Sequence, residues 1–420
     1  MTSLSARWRR RKNTGSAIAP GPSGSSSMPV SGNNPGPDEG FGVYIHWPFC
    51  ASKCPYCDFN SHVWDSIDHR RWRTALLSEL NHFALETSAR TVTSVFFGGG
   101  TPSLMAPETA AALIDAVGNR WDTAGDLEIT LEANPSTAEA GWFRAFRDAG
   151  VNRLSIGVQS FRDENLSFLG RGHSVAEARD ALALAADVFP RFSFDLIHGL
   201  AGQSPEDWGR ELDEALEYAK SLGAGHLSLY QLTIEPGTPF HRDGVEAAGG
   251  DEGARLYAIT QEKLIEAGLP AYEISNHARP GSECRHNLQI WRGGAYAGVG
   301  PGAHGRLPAP RRTEALYQIH DPGRWLAAVE SKGHGTAKRR ALPRRARAEE
   351  LLMTGLRLIE GVGWARFQSL TGRGIEDLID GDGLKRMTGG GFVEADDRGL
   401  RATASGWLCL NEVLRHLLAS

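Results

Sequence analysis

From residue 43 onward, short apolar runs alternate with longer stretches in which apolar positions recur every three or four residues. The runs at 43–47, 93–97, 127–132, 153–158, 192–197 and 227–232 predict six strands. The stretches at 70–86, 107–120, 137–149, 175–188, 205–222 and 251–267 predict six helices. Pro107 and Pro205 open two of them, in the one turn that tolerates a missing N–H. Repeated strand–helix units imply parallel strands, right-handed crossovers and a barrel or open sheet that works at the C-terminal ends of its strands. Gly-rich and polar residues gather at those ends.

Both flanks break the pattern. Residues 1–40 carry the basic residues Arg7, Arg9, Arg10, Arg11 and Lys12, no acidic one before Asp38, and mostly Gly, Pro and Ser from Gly15 on. Such a segment buries too little apolar surface to offset its ordering entropy, so it reads as a disordered basic leader. It is either a loose extension, with Met28 as an alternative start, or an organellar transit peptide. Residues 41–306 read as the barrel with its extension, and 307–347, rich in Pro and Arg, as a linker. Residues 348–420 read as a small α+β domain of winged-helix type, with a helix at 348–360, a hairpin candidate at 389–399 and a last helix at 406–418.

With 420 residues, 41% of them hydrophobic and 23% charged, the chain has the composition of a globular protein of two or three domains. No apolar run approaches the roughly 18 residues that span a bilayer. The net charge of -5, from 45 Lys and Arg against 50 Asp and Glu, supplies no overall field for holding nucleic acid. Five cysteines are too few for a disulfide framework and indicate a reducing compartment: the cytoplasm, or the mitochondrion if the leader is a transit peptide.

Three of the five, Cys50, Cys54 and Cys57, fall within eight residues. Their spacing can wrap three thiolates round one face of a soft-metal centre. A 4Fe-4S cluster held by three cysteines leaves one iron open to a substrate or cofactor. A zinc site would need a fourth protein ligand, such as Cys284, His46 or His62. Cys54 and Cys57 alone would make a dithiol redox pair, for which Cys50 is superfluous.

The three cysteines, with Tyr56 before the last, resemble those of the radical S-adenosylmethionine (SAM) proteins. The run from Val43 through Cys50 is similar to the branch of that superfamily holding the oxygen-independent coproporphyrinogen III dehydrogenases and the heme chaperones, the HemN/HemW branch. The resemblance covers residue 41 to the C-terminus. It implies a partial (β/α)6 barrel whose cluster binds SAM through its amine and carboxylate, and from which electron transfer yields a 5'-deoxyadenosyl radical.

It also implies a set of SAM contacts. Gly99, Gly100 and Thr101, after the second strand, match the segment for the methionyl amine; alone they would be a tight turn. Glu132 would accept from the ammonium or ribose hydroxyls, or else cap a helix. Gln159, Arg171 and Asp195 match the remaining positions, Arg171 facing the methionyl carboxylate with two parallel donors. Taken singly, Arg171 would more often be a surface ion pair. Tyr44 and Tyr56 flank the site; strand packing is the plain account of Tyr44.

Two places choose within the branch. The dehydrogenases follow the last ligand with Gly and a fourth cysteine, whereas this chain reads Asp58, Phe59, Asn60, Ser61, His62, as the chaperones do. His286, Asn287 and Trp291 resemble a His-Asn-x-x-Tyr-Trp heme motif, with Ile290 in the tyrosine position. Histidine is a natural axial ligand of heme iron and Trp offers the ring a flat apolar face. Without that match His286 would be a hydrogen-bonded histidine, and Cys284 is an alternative ligand. The expectation is a heme chaperone with a 4Fe-4S cluster, SAM and heme, serving heme-accepting respiratory proteins, with a second copy of the chain and a membrane surface as further partners and no nucleic acid. The alternatives are a coproporphyrinogen III dehydrogenase and a redox-sensing partner of the respiratory chain.

Overall fold

The computed structural model describes residues 40–309 and 312–418. The predicted leader falls outside them, save Gly40. Residues 40–343 make one compact unit and the chain from Arg344 on belongs to a second.

In the larger unit, β1 (Phe41–Trp47), β2 (Thr91–Gly99), β3 (Asp122–Ala133), β4 (Arg153–Gln159), β5 (Arg191–His198) and β6 (His226–Gln231) pair in parallel in sequence order. Helices His69–Thr87, Pro107–Arg120, Val175–Val188, Pro205–Ser221 and Gly250–Glu266 alternate with them. The helix predicted over 137–149 is two short ones, Thr137–Ala140 and Phe143–Asp148, parted at Gly141 and Trp142. β1 and β6 do not pair with each other, so the arc is an open, partial (β/α)6 barrel. β6 is extended antiparallel by β8 (Asn276–Ala278) and β7 (Ala271–Glu273), and β1 is extended in parallel by β9 (Tyr296–Val299).

Alternation along β1 shows how the sheet divides its chemistry. Phe41, Val43, Ile45 and Trp47 are fully buried in the apolar layer shared with Leu76, Leu80 and Leu113 of the helices. Each such side chain contributes roughly 1.5–3 kcal/mol of burial. Tyr44 and His46, of opposite parity, face the polar inner side.

The stretch predicted as a linker is a folded part of this unit. β10 (His304–Ala309), β11 (Arg312–Gln318) and β12 (Thr336–Ala341) form an antiparallel meander beyond β9, with helix Pro322–Lys332 between the last two. The misreading has a physical source. β12 is an edge strand whose Lys338, Arg339 and Arg340 stay exposed, the charge pattern that blunts a sheet edge and that a sequence shares with a solvated connector.

The second unit has helices Arg344–Gly355, Trp364–Thr371, Gly381–Gly389, Ala404–Leu408 and Leu410–Leu417. They accompany a three-stranded antiparallel sheet in which β13 (Val362–Gly363) and β14 (Val393–Ala395) flank β15 (Gly399–Ala402). The predicted last helix is interrupted at Cys409.

Candidate functional site

After Trp47 the chain closes a loop on itself. The Cys50 N–H donates to the His62 carbonyl at 3.0 Å and the His62 N–H to the Pro48 carbonyl at 2.7 Å, while Cys57 N–H donates to the Cys54 carbonyl at 3.1 Å. Cys50, Cys54 and Cys57 are free and half-buried. Each sulfur has its own polar neighbour. The Thr101 hydroxyl donates to Cys50 Sγ at 3.3 Å, Arg171 Nη1 donates to Cys54 Sγ at 3.3 Å, and Ser61 Oγ lies 3.9 Å from Cys57 Sγ. Donors aimed at sulfur favour the thiolate, the form that binds iron.

A single-ion site is disfavoured on three counts. Among the described residues no three His, Cys, Asp or Glu side chains converge on one ion. His46 has both ring nitrogens engaged, Nδ1 2.9 Å from the Tyr44 hydroxyl and Nε2 2.9 Å from the Asn60 carbonyl. Cys284 is buried elsewhere, and burial pushes its thiol up to about 12. Three half-buried thiols, each with a polar donor at its sulfur and with His46 and Cys284 engaged elsewhere, suit a cluster held by three cysteines.

The end of β2 is locked onto this loop. Gly100 N–H donates to the Trp47 carbonyl at 2.7 Å and Thr101 N–H to the Phe49 carbonyl at 2.8 Å. A Cβ on Gly100 would lie 2.6 Å from the Phe49 carbonyl oxygen, so glycine is required for the approach. Gly99 N–H donates to Glu132 Oε2 at 3.2 Å; Glu132 caps no helix. Burial, and secondly the charge of Asp195, push Glu132 up to about 7. Burial pushes Asp195 up to about 6 against the pull of the Ser228 hydroxyl and the Arg153 and Arg171 charges.

Three polar side chains around this cleft have an unsatisfied atom. Asp195 Oδ1, Gln159 Oε1 and Arg171 Nε are buried without hydrogen-bond partners. Gln159 is also the one described non-Gly residue with positive φ, 73°. Arg171 is no surface ion pair: its Nη2 donates to Asn134 Oδ1 at 2.5 Å and to the Gly157 carbonyl at 2.8 Å. An unmet buried polar atom costs about 1–3 kcal/mol, so such atoms collect where a polar ligand binds. Two buried carboxyls, an amide and a guanidinium N–H complement the ammonium, sulfonium, ribose hydroxyls and carboxylate of SAM. Tyr56 closes the side of the cleft, its ring 6.3 Å from that of Phe240.

His286 packs against Tyr44 rather than against the cysteine loop. Helix Arg285–Trp291 covers the N-terminal mouth of the barrel, with Arg285 N–H on Glu128 Oε1 at 2.8 Å and Gln289 Nε2 on the Gly40 carbonyl at 2.8 Å. The His286 ring is 3% exposed, stacked 4.4 Å from Phe96 and 5.7 Å from Tyr44. Burial, then the Arg153 charge, hold it down to about 3, so it is a neutral imidazole, and its Nδ1 has no partner. The structure therefore brings Tyr44, Tyr56, Gly99, Gly100, Thr101, Glu132, Gln159, Arg171 and Asp195 to the cysteine loop and leaves His286 in the polar core beneath them.

Sequence reasoning missed Asn60 and Asn134. Asn60 Nδ2 donates to the carbonyls of Pro301 and His320 at 2.9 and 2.8 Å, tying the cysteine loop to the turn after β9. Asn134 joins Thr101, Arg171 and Glu139. Its signal was an Asn before Pro at the end of a strand, which reads equally as a turn.

The model of the Radical SAM superfamily matches residues 44–241, and that of the HemN C-terminal domain matches residues 342–409. The chain is 38% identical to the heme chaperone HemW of Escherichia coli, covering 90% of this chain and 98% of that protein. It is 35% identical to the HemW of Mycobacterium tuberculosis over 93% of this chain and 97% of that one. The mitochondrial radical S-adenosyl methionine domain-containing protein 1 of Danio rerio is 38% identical, with 90% and 86% covered. Among solved structures, HemN of Escherichia coli, described as a radical SAM enzyme and coproporphyrinogen III oxidase, superposes with a TM-score of 0.74 over 90% of each chain at 22% identity, a likeness of fold. A thiol loop braced by β2, a polar cleft along the strand ends and near full-length kinship with HemW thus place the chain in the radical SAM superfamily, within the HemW heme chaperone family.

Proposed function

We propose that this chain is a heme chaperone: it binds heme, a 4Fe-4S cluster and SAM, and passes the heme to respiratory proteins. The observation that carries this reading is similarity along 98% of the length of the Escherichia coli heme chaperone. The sequence after the last thiol supports it, since Asp58 and Phe59 stand where a dehydrogenase places glycine and a fourth cysteine.

In this reading Cys50, Cys54 and Cys57 hold three irons and leave one for SAM. When bound, the cluster supplies one-electron chemistry and an open coordination position. Thr101 and Arg171 stabilise the thiolates by donating to two of the sulfurs. The Arg171 fork is fixed by Asn134 and Gly157, so its open Nε would meet the methionyl carboxylate with no conformational search. Glu132 and Asp195 take the cationic end and the ribose, and Gly99 and Gly100 let the ligand approach the backbone. His286 and Trp291 lie in the heme motif. A reducing interior such as the cytoplasm keeps the three thiols available, and no described helix is long and apolar enough to cross a membrane. A membrane surface or a second copy of the chain is a further partner.

The test is anaerobic reconstitution followed by heme titration. The expected result is stoichiometric heme uptake, with no protoporphyrinogen formed from coproporphyrinogen III, SAM and a reductant. Porphyrinogen formation would assign the chain to the dehydrogenases instead.

A further inference from the structure

Beneath β4, β5 and β6, at the N-terminal mouth, lies a cavity of about 180 Å³. It is small for a whole ligand, since such sites usually enclose about 300–1,000 Å³, but it suits one short polar arm. Three of its walls are arginines, Arg153, Arg191 and Arg279, joined by His226 and Ser282.

The guanidinium groups are not all paired. Arg191 Nη1 pairs with Glu128 at 2.7 Å, and its Nη2 donates to the Glu283 carbonyl at 2.9 Å. The Glu283 carboxylate itself is turned to the Gly281 N–H at 2.9 Å. Arg153 is 2% exposed, yet among the described residues its guanidinium donates only to the Ser193 hydroxyl, at 2.9 Å, with no carboxylate as close. Glu128 and Asp195 act on its charge only at longer range, and no described carboxylate accepts a hydrogen bond from it. Arg279 is exposed, and its guanidinium has no described partner. His226, 2% exposed, uses Nε2 on the Tyr272 hydroxyl and leaves Nδ1 unpaired.

Basic groups at this end of a βα barrel often serve to neutralise the last carbonyls of the helices. The hydrogen bonds here run elsewhere: Arg153 to Ser193, Arg191 to Glu128 and Glu283. One anionic group could accept from both Arg153 and Arg279.

We propose that this cavity is a carboxylate site that receives one propionate of heme. The position selects that carboxylate. Ser282 and the Glu283 carbonyl belong to the segment that enters helix Arg285–Trp291, so one wall of the cavity leads directly into the heme motif. From Ser282 to His286 is four residues, at most about 14 Å of chain, within the span of a porphyrin and its arm. The proposal rests on the heme-binding reading above and does not depend on His286 being the iron ligand.

The experiment uses the full-length, anaerobically cluster-loaded protein and compares hemin with its dimethyl ester, in which both propionates are neutral. Wild type binds hemin about tenfold more tightly than the ester, the scale of one charge-assisted contact. Arg279→Ala lowers hemin affinity severalfold and Arg279→Glu tenfold or more, neither changes ester binding, and both keep the cluster absorbance and far-UV circular dichroism of wild type. Inorganic phosphate competes with hemin and not with the ester. Equal wild-type affinity for hemin and ester overturns the assignment, as does an Arg279→Glu variant that binds hemin as wild type does. Phosphate competition without discrimination between hemin and ester makes the cavity a site for some other anion and equally overturns it. Wild type taking up neither porphyrin overturns the heme reading itself, a distinguishable result.

Discussion

The ring of His286 lies 4.4 Å from that of Phe96 and 21° from parallel to it, making the histidine of the heme motif a packed part of the barrel interior. Removing it has two separable effects. His286→Ala leaves a cavity and costs about 2–4 kcal/mol of stability by urea unfolding. His286→Phe preserves the stack and recovers most of that loss. Both variants change the heme absorption spectrum while the cluster's absorbance persists. A heme spectrum that neither variant alters removes His286 as iron ligand.

Glu79 is a buried carboxylate on which several elements converge. It accepts from Gly300 N–H at 2.7 Å, Gly335 N–H at 2.5 Å and Trp325 Nε1 at 3.1 Å, joining helix His69–Thr87 to the meander. Glu79→Ala strands those donors and lowers unfolding free energy by about 3 kcal/mol or more. Burial pushes Glu79 up to about 7. With the folded value above the ordinary carboxyl range, its contribution is full at low pH and declines as pH rises from the unfolded value near 4.5 through 7. Glu79→Gln removes that slope, so the stability difference between wild type and variant changes across pH 4.5–7 and flattens above it.

SAM binding releases protons near pH 6. Glu132 and Asp195, pushed up to about 7 and about 6, are partly protonated there, and a cationic ligand draws both down. Affinity therefore rises from pH 5 to pH 7.5 and then levels. Calorimetry in two buffers of different ionisation enthalpy counts the protons, and Glu132→Gln loses most of the pH dependence. A binding heat that is the same in both buffers contradicts the roles given to the two carboxyls.

Gln159 holds a left-handed backbone, φ 73°, at the end of β4. That conformation costs about 1–2 kcal/mol for a residue with a Cβ. Gln159→Gly relieves it and leaves thermal stability unchanged or higher, while SAM affinity falls for want of the amide. Loss of stability together with affinity would mean that the side chain serves packing rather than the ligand.

The parallel arc was legible because each strand carries its own apolar run and each helix its own period; helices at 107–120 and 175–188 are found at the expected bounds. The thiol loop was legible from spacing, and the strand-end residues from the family resemblance. What escaped was tertiary. Nothing local distinguishes β12, with its Lys338, Arg339 and Arg340, from a solvated tether, because its pairing with β11 is specified by residues elsewhere in the chain. The stack on His286 needs Phe96, nearly two hundred positions away, and the distance of Arg153 from any hydrogen-bonding carboxylate shows only once its neighbours are in place.

β1 runs between β2 and β9, parallel to both. One neighbour follows the heme-motif helix by five residues, and β1 itself ends three residues before Cys50. A single hydrogen-bonded ribbon thus joins the segment after helix Arg285–Trp291 to the loop that carries Cys50, Cys54 and Cys57, so neither end can shift without disturbing a run of backbone hydrogen bonds.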